Sequence, residues 1–254
     1  MKLPVWIATA ATALCAALLP ACDSFNLNAI HPGTTTAAEV RDRLGPPGYV
    51  HWHDDGTLVW EYSRQPAGIQ CYMMPGNDDI EDVGTIIDKS ELIVNPESKN
   101  IMIDDYHEMI SLGYTNPTPW KTPRETSEEE LARMIDAMII KVKDMKNCIF
   151  NFHCPPYDTM LDEAPELDKN MRPMMSAGSL LMKRVGSTAI KERIDKYQPL
   201  LGVFGHIHEA SGEMNMGRTK CLNPGSEYQN GVLRAYLVEL DAEGIVGKAL
   251  RIEG

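Results

Sequence analysis

Two hydrophobic patterns alternate along residues 73–254. Short apolar runs of strand length are separated by segments in which apolar residues recur every three or four positions, the spacing of one helix face. The clearest helical segment is 127–147, with Ser127 at its N-cap, and a second one begins at Ser187. The predicted strands lie in CIFNFH, PLLGVFGHIH, GRTKCLNPGS and a closing hairpin that runs from VLRAYLVEL to IVGKALRIE. Strands that alternate with helices predict an α/β layered fold for this part of the chain.

A different pattern occupies residues 23–72. The segment TTTAAEVRDRLGPP predicts a short helix, because Thr36 and Glu39 have the spacing of a capping box. Alternating residues on both sides of an Asp-Gly pair then predict a β-hairpin. We therefore expect a small α+β module before the larger α/β domain.

The first 22 residues have the composition of an export signal. Lys2 is followed by a short apolar run, and the run ends in small residues at LPAC. The run is short for a spanning helix, so a plain signal peptide or an uncleaved N-terminal anchor are the simple alternatives. The Leu-x-Ala-Cys ending resembles a bacterial lipobox, which implies lipidation of Cys22 and a chain anchored by acyl groups facing the periplasm.

Charge and cysteine content narrow the class of protein. The chain carries 24 basic and 36 acidic residues, a formal net charge of -12, which argues against a nucleic-acid partner. Beyond residues 1–22, four cysteines remain in no metal-binding or disulfide-rich spacing. Cys148, Cys154 and Cys221 lie in or beside predicted strands, where a cysteine is typically a small buried hydrophobe. Unpaired thiols are typical of a cytosolic enzyme, so the second module looks cytosolic in origin.

Histidines follow two of the predicted strands. His153 ends one strand and His206 and His208 end another, while Asn77 lies in a turn led by glycine. Open α/β sheets bind ligands at the carboxyl ends of their strands, and imidazole is a common transition-metal ligand. In an extended chain His206 and His208 would project to the same side, with Gly205 permitting a tight turn before them. The sequence therefore predicts a metal site at this edge.

The motifs GNDD (76–79), FHCPP (152–156), GHIH (205–208) and NPGS (223–226) resemble those of the calcineurin-like metallophosphoesterases. The resemblance covers roughly residues 74–254. It implies an α/β/β/α sandwich and two divalent metal ions, drawn from Mn, Fe, Zn or Ni. It also implies hydrolysis of small phosphate mono- or diesters by a metal-bound hydroxide.

The resemblance also implies individual roles. Asn77, His153 and His206 would ligate one metal ion, and His208 would ligate the other. His206 and Asp78 occupy positions that the family uses in catalysis, although Asp78 replaces the usual histidine of the GNH motif. The segment that would pack beside the site and shape it consists of Asn223, Pro224, Gly225 and Ser226.

One family feature is absent upstream. Residues 1–75 contain neither the D-x-H nor the G-D motif, which supply most ligands of the first metal and the bridging carboxylate. His208 alone would remain for that metal. We therefore expect an incomplete sandwich with an unpaired edge, one bound ion or none, and impaired phosphoesterase activity.

The first module has its own resemblance. Residues 30–72, with PGTTTAAEVRDRLGPP and WEY after the DG turn, resemble the SmpA/OmlA family of small outer-membrane lipoproteins. That resemblance implies a scaffolding role in outer-membrane assembly, so a non-catalytic, membrane-anchored lipoprotein is the alternative function. Both patterns break within residues 70–82, which favours a chimera of two genes. The implied partners are a phosphate ester and a membrane, and a homo-oligomer stays open.

Two further segments contain polar residues near these motifs. Residues 116–125 predict an ordinary connecting loop, with substrate contact by Trp120, Lys121 or Arg124 as the alternative. Residues 104–109, DDYHEM, predict a solvated strand rather than a ligand cluster.

Overall fold

The computed structural model describes Thr36, residues 38–40, 49–52 and 58–61, and residues 70–254. The described residues from Gln70 to Gly254 belong to one compact unit, and the described residues before Gln70 belong to another. The predicted signal segment 1–22 and its lipidation site, Cys22, lie outside the described residues, as does most of the small module.

The described parts of the first unit agree with the predicted helix start and hairpin. Thr36 N and Oγ1 donate to Glu39 Oε2 at 2.8 and 2.9 Å, and Glu39 N donates to Thr36 Oγ1 at 3.3 Å. Residues 38–40 are helical. Strands β1 (Tyr49–Trp52) and β2 (Leu58–Glu61) pair in antiparallel fashion. The capping box and the two hairpin strands are confirmed, and the turn between the strands lies outside the described residues.

A mixed six-stranded sheet forms the centre of the second unit, in the order β13-β14-β12-β7-β6-β5. Its four inner strands are parallel, and its two edge strands are antiparallel to their neighbours. The sheet strands are β5 (Asn100–Met102), β6 (Glu108–Leu112), β7 (Cys148–Phe152), β12 (Leu201–Val203), β13 (Gly212–Met216) and β14 (Thr219–Asn223). The helices are α1 (Glu81–Asp88), α2 (Glu128–Ile139) and α3 (Thr188–Tyr197).

The remaining strands form two-stranded pairs. The pair β3 (Cys71–Tyr72) and β4 (Ile93–Val94) is parallel, whereas the other three pairs are antiparallel. Those three pairs are β8 (Glu163–Pro165) with β11 (Met182–Arg184), β9 (Met175–Ser176) with β10 (Ser179–Leu180), and β15 (Arg234–Asp241) with β16 (Gly244–Glu253).

The central sheet is covered on both faces because successive side chains of each strand project to opposite faces. Phe150 and Phe152 pack in one cluster with residues of helices α2 and α3, among them Leu131 and Ile190. The intervening Ile149 packs on the other face, in a cluster with residues of the β15–β16 hairpin. The predicted α/β class is confirmed: the unit is a mixed sheet with helices on one face and a β-hairpin on the other.

Helix α2 is shorter than predicted. Ser127 caps it as expected, its Oγ accepting from Glu130 N at 3.2 Å, but the helix ends at Ile139 rather than at 147. The cause is the carboxylate of Glu108, which accepts the N–H groups of Lys143 and Asp144 at 2.8 and 3.0 Å. A buried carboxylate that binds two amides holds the chain out of the helix.

The prediction of a solvated strand over residues 104–109 is wrong for His107, Glu108 and Met109, which are buried, whereas Asp105 and Tyr106 are exposed. The side chain of His107 is fully buried and its Nδ1 lies 2.7 Å from Asp104 Oδ2. Glu108 is also buried, because it receives the two amides after helix α2. Charged residue types can therefore lie inside when each has a partner of its own.

The cysteines behave as predicted. Cys148, Cys154 and Cys221 are free and fully buried. Burial raises the pKa of the Cys148 and Cys221 thiols to about 12, so neither is a nucleophile at neutral pH. Among the described residues, no helix has the length and apolar content needed to cross a membrane.

Candidate metal centre

The two histidines of the centre lie just beyond adjacent parallel strands. His153 follows β7, and His206 lies three residues beyond the end of β12. Backbone bonds extend past both strands: His153 N donates to Leu112 O at 2.8 Å, and Gly205 N donates to His153 O at 3.0 Å. The two imidazole centroids are consequently only 5.2 Å apart.

The loop that holds His206 is not extended, contrary to the sequence prediction. Strand β12 ends at Val203, and Ile207 N donates back to Gly205 O at 2.6 Å. The left-handed backbone belongs to His206 itself, with φ of 62°, and not to Gly205. A side chain in this conformation costs some backbone energy, and such residues are concentrated at functional sites.

Asn77 joins the two histidines from a different part of the fold, the loop after β3. Its Oδ1 lies 2.9 Å from His153 Nε2 and 3.1 Å from His206 Nδ1. Its Nδ2 donates to Thr122 Oγ1 at 2.9 Å, and its backbone oxygen accepts from Arg124 N at 3.0 Å. Three atoms of metal-ligating types therefore meet at one point.

The two separations measured from Asn77 Oδ1 match those between neighbouring ligands of a divalent ion. Two ligands at right angles, each about 2.1 Å from an octahedral ion, are about 3.0 Å apart. The two distances from Asn77 Oδ1 match that separation. In the described part of the chain, no three His, Cys, Asp or Glu side chains form a metal-binding group. The donor set is thus two imidazoles and an amide oxygen, with no carboxylate among them.

Both imidazoles are held in the neutral form that binds metals. Burial lowers the pKa of His153 to about 3, and the charges of the neighbouring histidines and Arg124 add to the effect. Burial also lowers the pKa of His206 to about 4, helped by His208 and opposed by Glu125. Protons therefore compete weakly for these ligands at neutral pH.

A glycine lets the Asn77 loop approach His153. A Cβ atom on Gly76 would lie 3.0 Å from both Cε1 and Nε2 of the His153 ring. Gly76 N is in turn fixed by Asp79 Oδ2 at 2.7 Å, so the loop has little freedom to move away.

His208 stands beside this group without hydrogen bonding to it. It is half-buried, and its ring meets Tyr228 edge-on with centroids 5.7 Å apart. Its charge lowers the pKa of both other histidines, so it lies within electrostatic range of them. Asp78, next to Asn77 in the chain, is exposed to solvent.

The NPGS segment supports the histidine loop from behind. Buried Asn223 donates through Nδ2 to Ile207 O at 3.0 Å, and Ser226 N donates to His208 O at 3.1 Å. Gly225 has φ of 68°, and a Cβ atom there would come within 2.7 Å of His208 O. These residues contact the backbone of the loop that bears His206 and His208.

The loop over residues 116–125 was predicted to be an ordinary connection, but it contacts Asn77 of the candidate metal centre. Thr122 and Arg124 contact Asn77 directly, whereas Trp120 is exposed and Lys121 has φ of 54° on the surface. Buried Arg124 also lies 3.0 Å from Glu97 Oε1 and stacks over the Tyr114 ring. Thr122 was missed because a lone threonine in a Pro-rich loop has no spacing signal that ties it to Asn77.

No family model matches the sequence. The uncharacterized protein MJ1162 of Methanocaldococcus jannaschii is 31% identical to it over 170 residues, which cover 65% of this chain and 69% of that protein. One crystal structure matches with a TM-score of 0.52 and 18% identity over 73% of this chain. This chain covers 66% of that structure, just under two thirds, and the likeness shows the fold alone. The crystal structure of TT1561 of Thermus thermophilus matches at a TM-score of 0.44 and 16% identity over 72% of each chain.

Proposed function

The chain belongs to the family of MJ1162, an uncharacterized protein of Methanocaldococcus jannaschii, and we propose that its larger module is a metal-dependent phosphoesterase. The proposed substrates are small phosphate mono- or diesters. The proposed finer fold is an incomplete calcineurin-like sandwich, for which the helix-covered sheet with a hairpin on its other face is the supporting feature.

The observation that carries the proposal is the meeting of Asn77 Oδ1, His153 Nε2 and His206 Nδ1 within 2.9 and 3.1 Å. These residues come from the GNDD, FHCPP and GHIH motifs, which are far apart in the chain. The convergence of two neutral imidazoles on one amide oxygen, at the carboxyl ends of adjacent parallel strands, supports a ligand role for all three residues.

A divalent ion at this position would polarise a phosphoryl oxygen and lower the pKa of a bound water molecule. The residues of the chain would do the rest. Asn77, His153 and His206 would hold the ion without adding negative charge, so the centre would keep a strong attraction for an anionic phosphate ester. His208, half-buried beside them, is placed to ligate a further ion or to bind the phosphate.

Two differences from the calcineurin-like motifs determine the level of activity that we expect. The exposed carboxylate of Asp78 repels a phosphate where the family has a histidine, so proton donation to the leaving group is weak. Among the described residues, no carboxylate joins the two imidazoles and the amide, so only His208 of the motif residues would ligate a further ion. We therefore propose one bound ion and slow turnover.

The test is hydrolysis of bis-p-nitrophenyl phosphate and p-nitrophenyl phosphate with Mn²⁺, comparing wild type with His206→Gly. Glycine is the sharper replacement because it accepts the φ of 62° without strain while removing the ligand. We expect the variant to lose at least about 100-fold in rate. Glu209→Gln, on the exposed neighbour of His208, is the control and should keep its rate. Equal rates in wild type and His206→Gly would remove this mechanism.

A second function has one observation in its favour. The described ligands include no carboxylate, as expected for a remnant site. In that case the chain would be a non-catalytic lipoprotein, anchored through Cys22 and acting as a periplasmic scaffold. Wild-type protein that binds Mn²⁺ but hydrolyses neither ester would favour this function.

A further inference from the structure

A carboxylate outside the metal centre begins a chain of hydrogen bonds that ends at the amide of Asn77. Glu125 Oε1 accepts from Thr122 Oγ1 at 2.7 Å and from Thr122 N at 2.8 Å. Its Oε2 accepts from Thr118 N at 2.8 Å. Thr122 Oγ1 then accepts from Asn77 Nδ2 at 2.9 Å.

Which group donates and which accepts in these hydrogen bonds follows from the number of protons that each group carries. Burial raises the pKa of Glu125, but the hydrogen bonds from Thr118 and Thr122 outweigh it and lower the pKa overall. The ionised carboxylate only accepts, so the single hydroxyl proton of Thr122 points to Glu125. The lone pairs of Thr122 Oγ1 are left facing Asn77, and they match an NH₂ group rather than a carbonyl oxygen.

This polarity decides which end of the Asn77 amide faces the histidines. With Nδ2 bound to Thr122, Oδ1 is directed at His153 and His206. Rotation of the amide by a half-turn would place two N–H protons at the cation position and an oxygen opposite an oxygen of Thr122. An amide ligates a hard or borderline cation through oxygen, so only the first orientation serves a metal.

The loop that presents Thr122 is itself fixed to the same asparagine. Arg124 N donates to Asn77 O at 3.0 Å, so the loop holds both the main chain and the side chain of that residue. Backbone bonds from Thr115 N to Arg124 O and from Thr126 N to Thr115 O, at 3.1 and 2.9 Å, close the loop. Thr122 therefore has a defined position relative to the centre.

We propose that Thr122 and Glu125 are positioning residues that hold the Asn77 side-chain oxygen toward a divalent cation. This inference rests on the proposed metal-dependent function and adds the residues that orient one of its ligands. Neither residue touches the cation position directly, and their effect is exerted through Asn77.

The experiment is calorimetric titration of Mn²⁺ into the metal-free, full-length protein. In Thr122→Val the shape is kept but the acceptor is lost, so the amide is released; we expect affinity to fall by about 10- to 100-fold. Thr122→Ser restores the hydroxyl and should restore affinity. Glu125→Ala should weaken binding in the same direction, because the Thr122 hydroxyl loses the acceptor that keeps its proton directed away from Asn77.

The matched control is Thr219→Val. Thr219 is fully buried and its Oγ1 donates to Pro199 O at 2.7 Å, outside the metal centre. We expect this control to bind Mn²⁺ like wild type, even if its melting temperature without metal falls as far as that of Thr122→Val.

The outcomes separate the two proposals. Wild-type affinity in Thr122→Val and Glu125→Ala, with binding lost in His206→Gly, would overturn the positioning role and leave the metal site standing. No binding by wild type would overturn both. Weak binding in Thr122→Ser as well as Thr122→Val would also overturn the positioning role, because the hydroxyl would then not be what matters.

Discussion

At the scale of single residues, the centre is defined by two imidazoles that burial keeps neutral. The pKa of His153 is about 3 and that of His206 about 4, compared with about 6.5 for an unfolded histidine. At pH values between the folded and the unfolded pKa, the two histidines bind more protons in the unfolded chain than in the folded one. Folding stability is therefore complete above about pH 6.5 and falls as the pH drops toward 4.

This loss of stability at low pH gives a prediction for the metal-free protein. In EDTA, each histidine should cost on the order of 2 kcal/mol of unfolding free energy between pH 7 and pH 5, from about 1.4 kcal/mol per pKa unit. Urea denaturation at both pH values measures the loss. A His153→Asn, His206→Gly double variant should lose much less over the same range. Equal losses in the two proteins would mean that the imidazoles titrate normally when folded.

Gly76 gives a second prediction at this scale. In Gly76→Ala the new Cβ atom, 3.0 Å from two atoms of the His153 ring, must displace that ring by a few tenths of an ångström. We expect Mn²⁺ affinity to fall about tenfold, as for other disturbances of ligand orientation.

The matched control for Gly76 is Gly84→Ala in helix α1. Its Cβ would meet Pro75 Cγ at an ordinary 3.7 Å. Because alanine favours helix, this variant should bind Mn²⁺ normally and gain about 0.5–1 kcal/mol of stability. Unchanged affinity in both variants would show that the close approach to His153 is irrelevant to the centre.

At the scale of elements, the two helices of the sheet are joined through a carboxylate. Ser187 caps α3 through the N–H of Ile190, as predicted. Glu128, the first residue of α2, accepts from Ser187 Oγ, Thr188 N and Ala189 N at 2.6, 3.1 and 2.9 Å. One helix start thus satisfies the unpaired amides of the other.

Removal of this carboxylate should be costly. Glu128→Ala should lower the unfolding free energy by about 2 kcal/mol, because it breaks charge-assisted bonds at a helix N-terminus. Glu129→Ala, on the exposed neighbour that bonds to Ser127 at the surface, should lower the unfolding free energy by much less. Urea denaturation compares the two, and similar effects would contradict the role of Glu128.

The sequence predicts the starts of α2 and α3, but not the end of α2, for a physical reason. Ser127 and Ser187 cap through their own local amides, which sequence spacing shows directly. The end of α2 depends on buried Glu108, which lies 35 positions before the amide of Lys143 that it accepts. The role of Thr122 depends likewise on a contact with Asn77, 45 positions away. Distant partners of this kind have no signature in a single sequence.

At the scale of the whole molecule, the edge of the parallel strands creates the centre. The order β14-β12-β7-β6 brings the chain segments after β7 and β12 together, as the strand-end histidines predicted. Among the described residues, no carboxylate joins the two imidazoles and the amide of the centre. In the β15–β16 hairpin, strand β16 exposes the side chains of Val246, Leu250 and Ile252 to solvent.

The central claim is that Asn77, His153 and His206 bind one divalent ion, and anomalous scattering from Mn²⁺-soaked crystals tests it most directly. We predict an anomalous peak about 2.1–2.3 Å from Asn77 Oδ1, His153 Nε2 and His206 Nδ1, and no such peak in His206→Gly crystals. A wild-type map with no peak among these three atoms, at a Mn²⁺ concentration that labels other sites, would contradict the account.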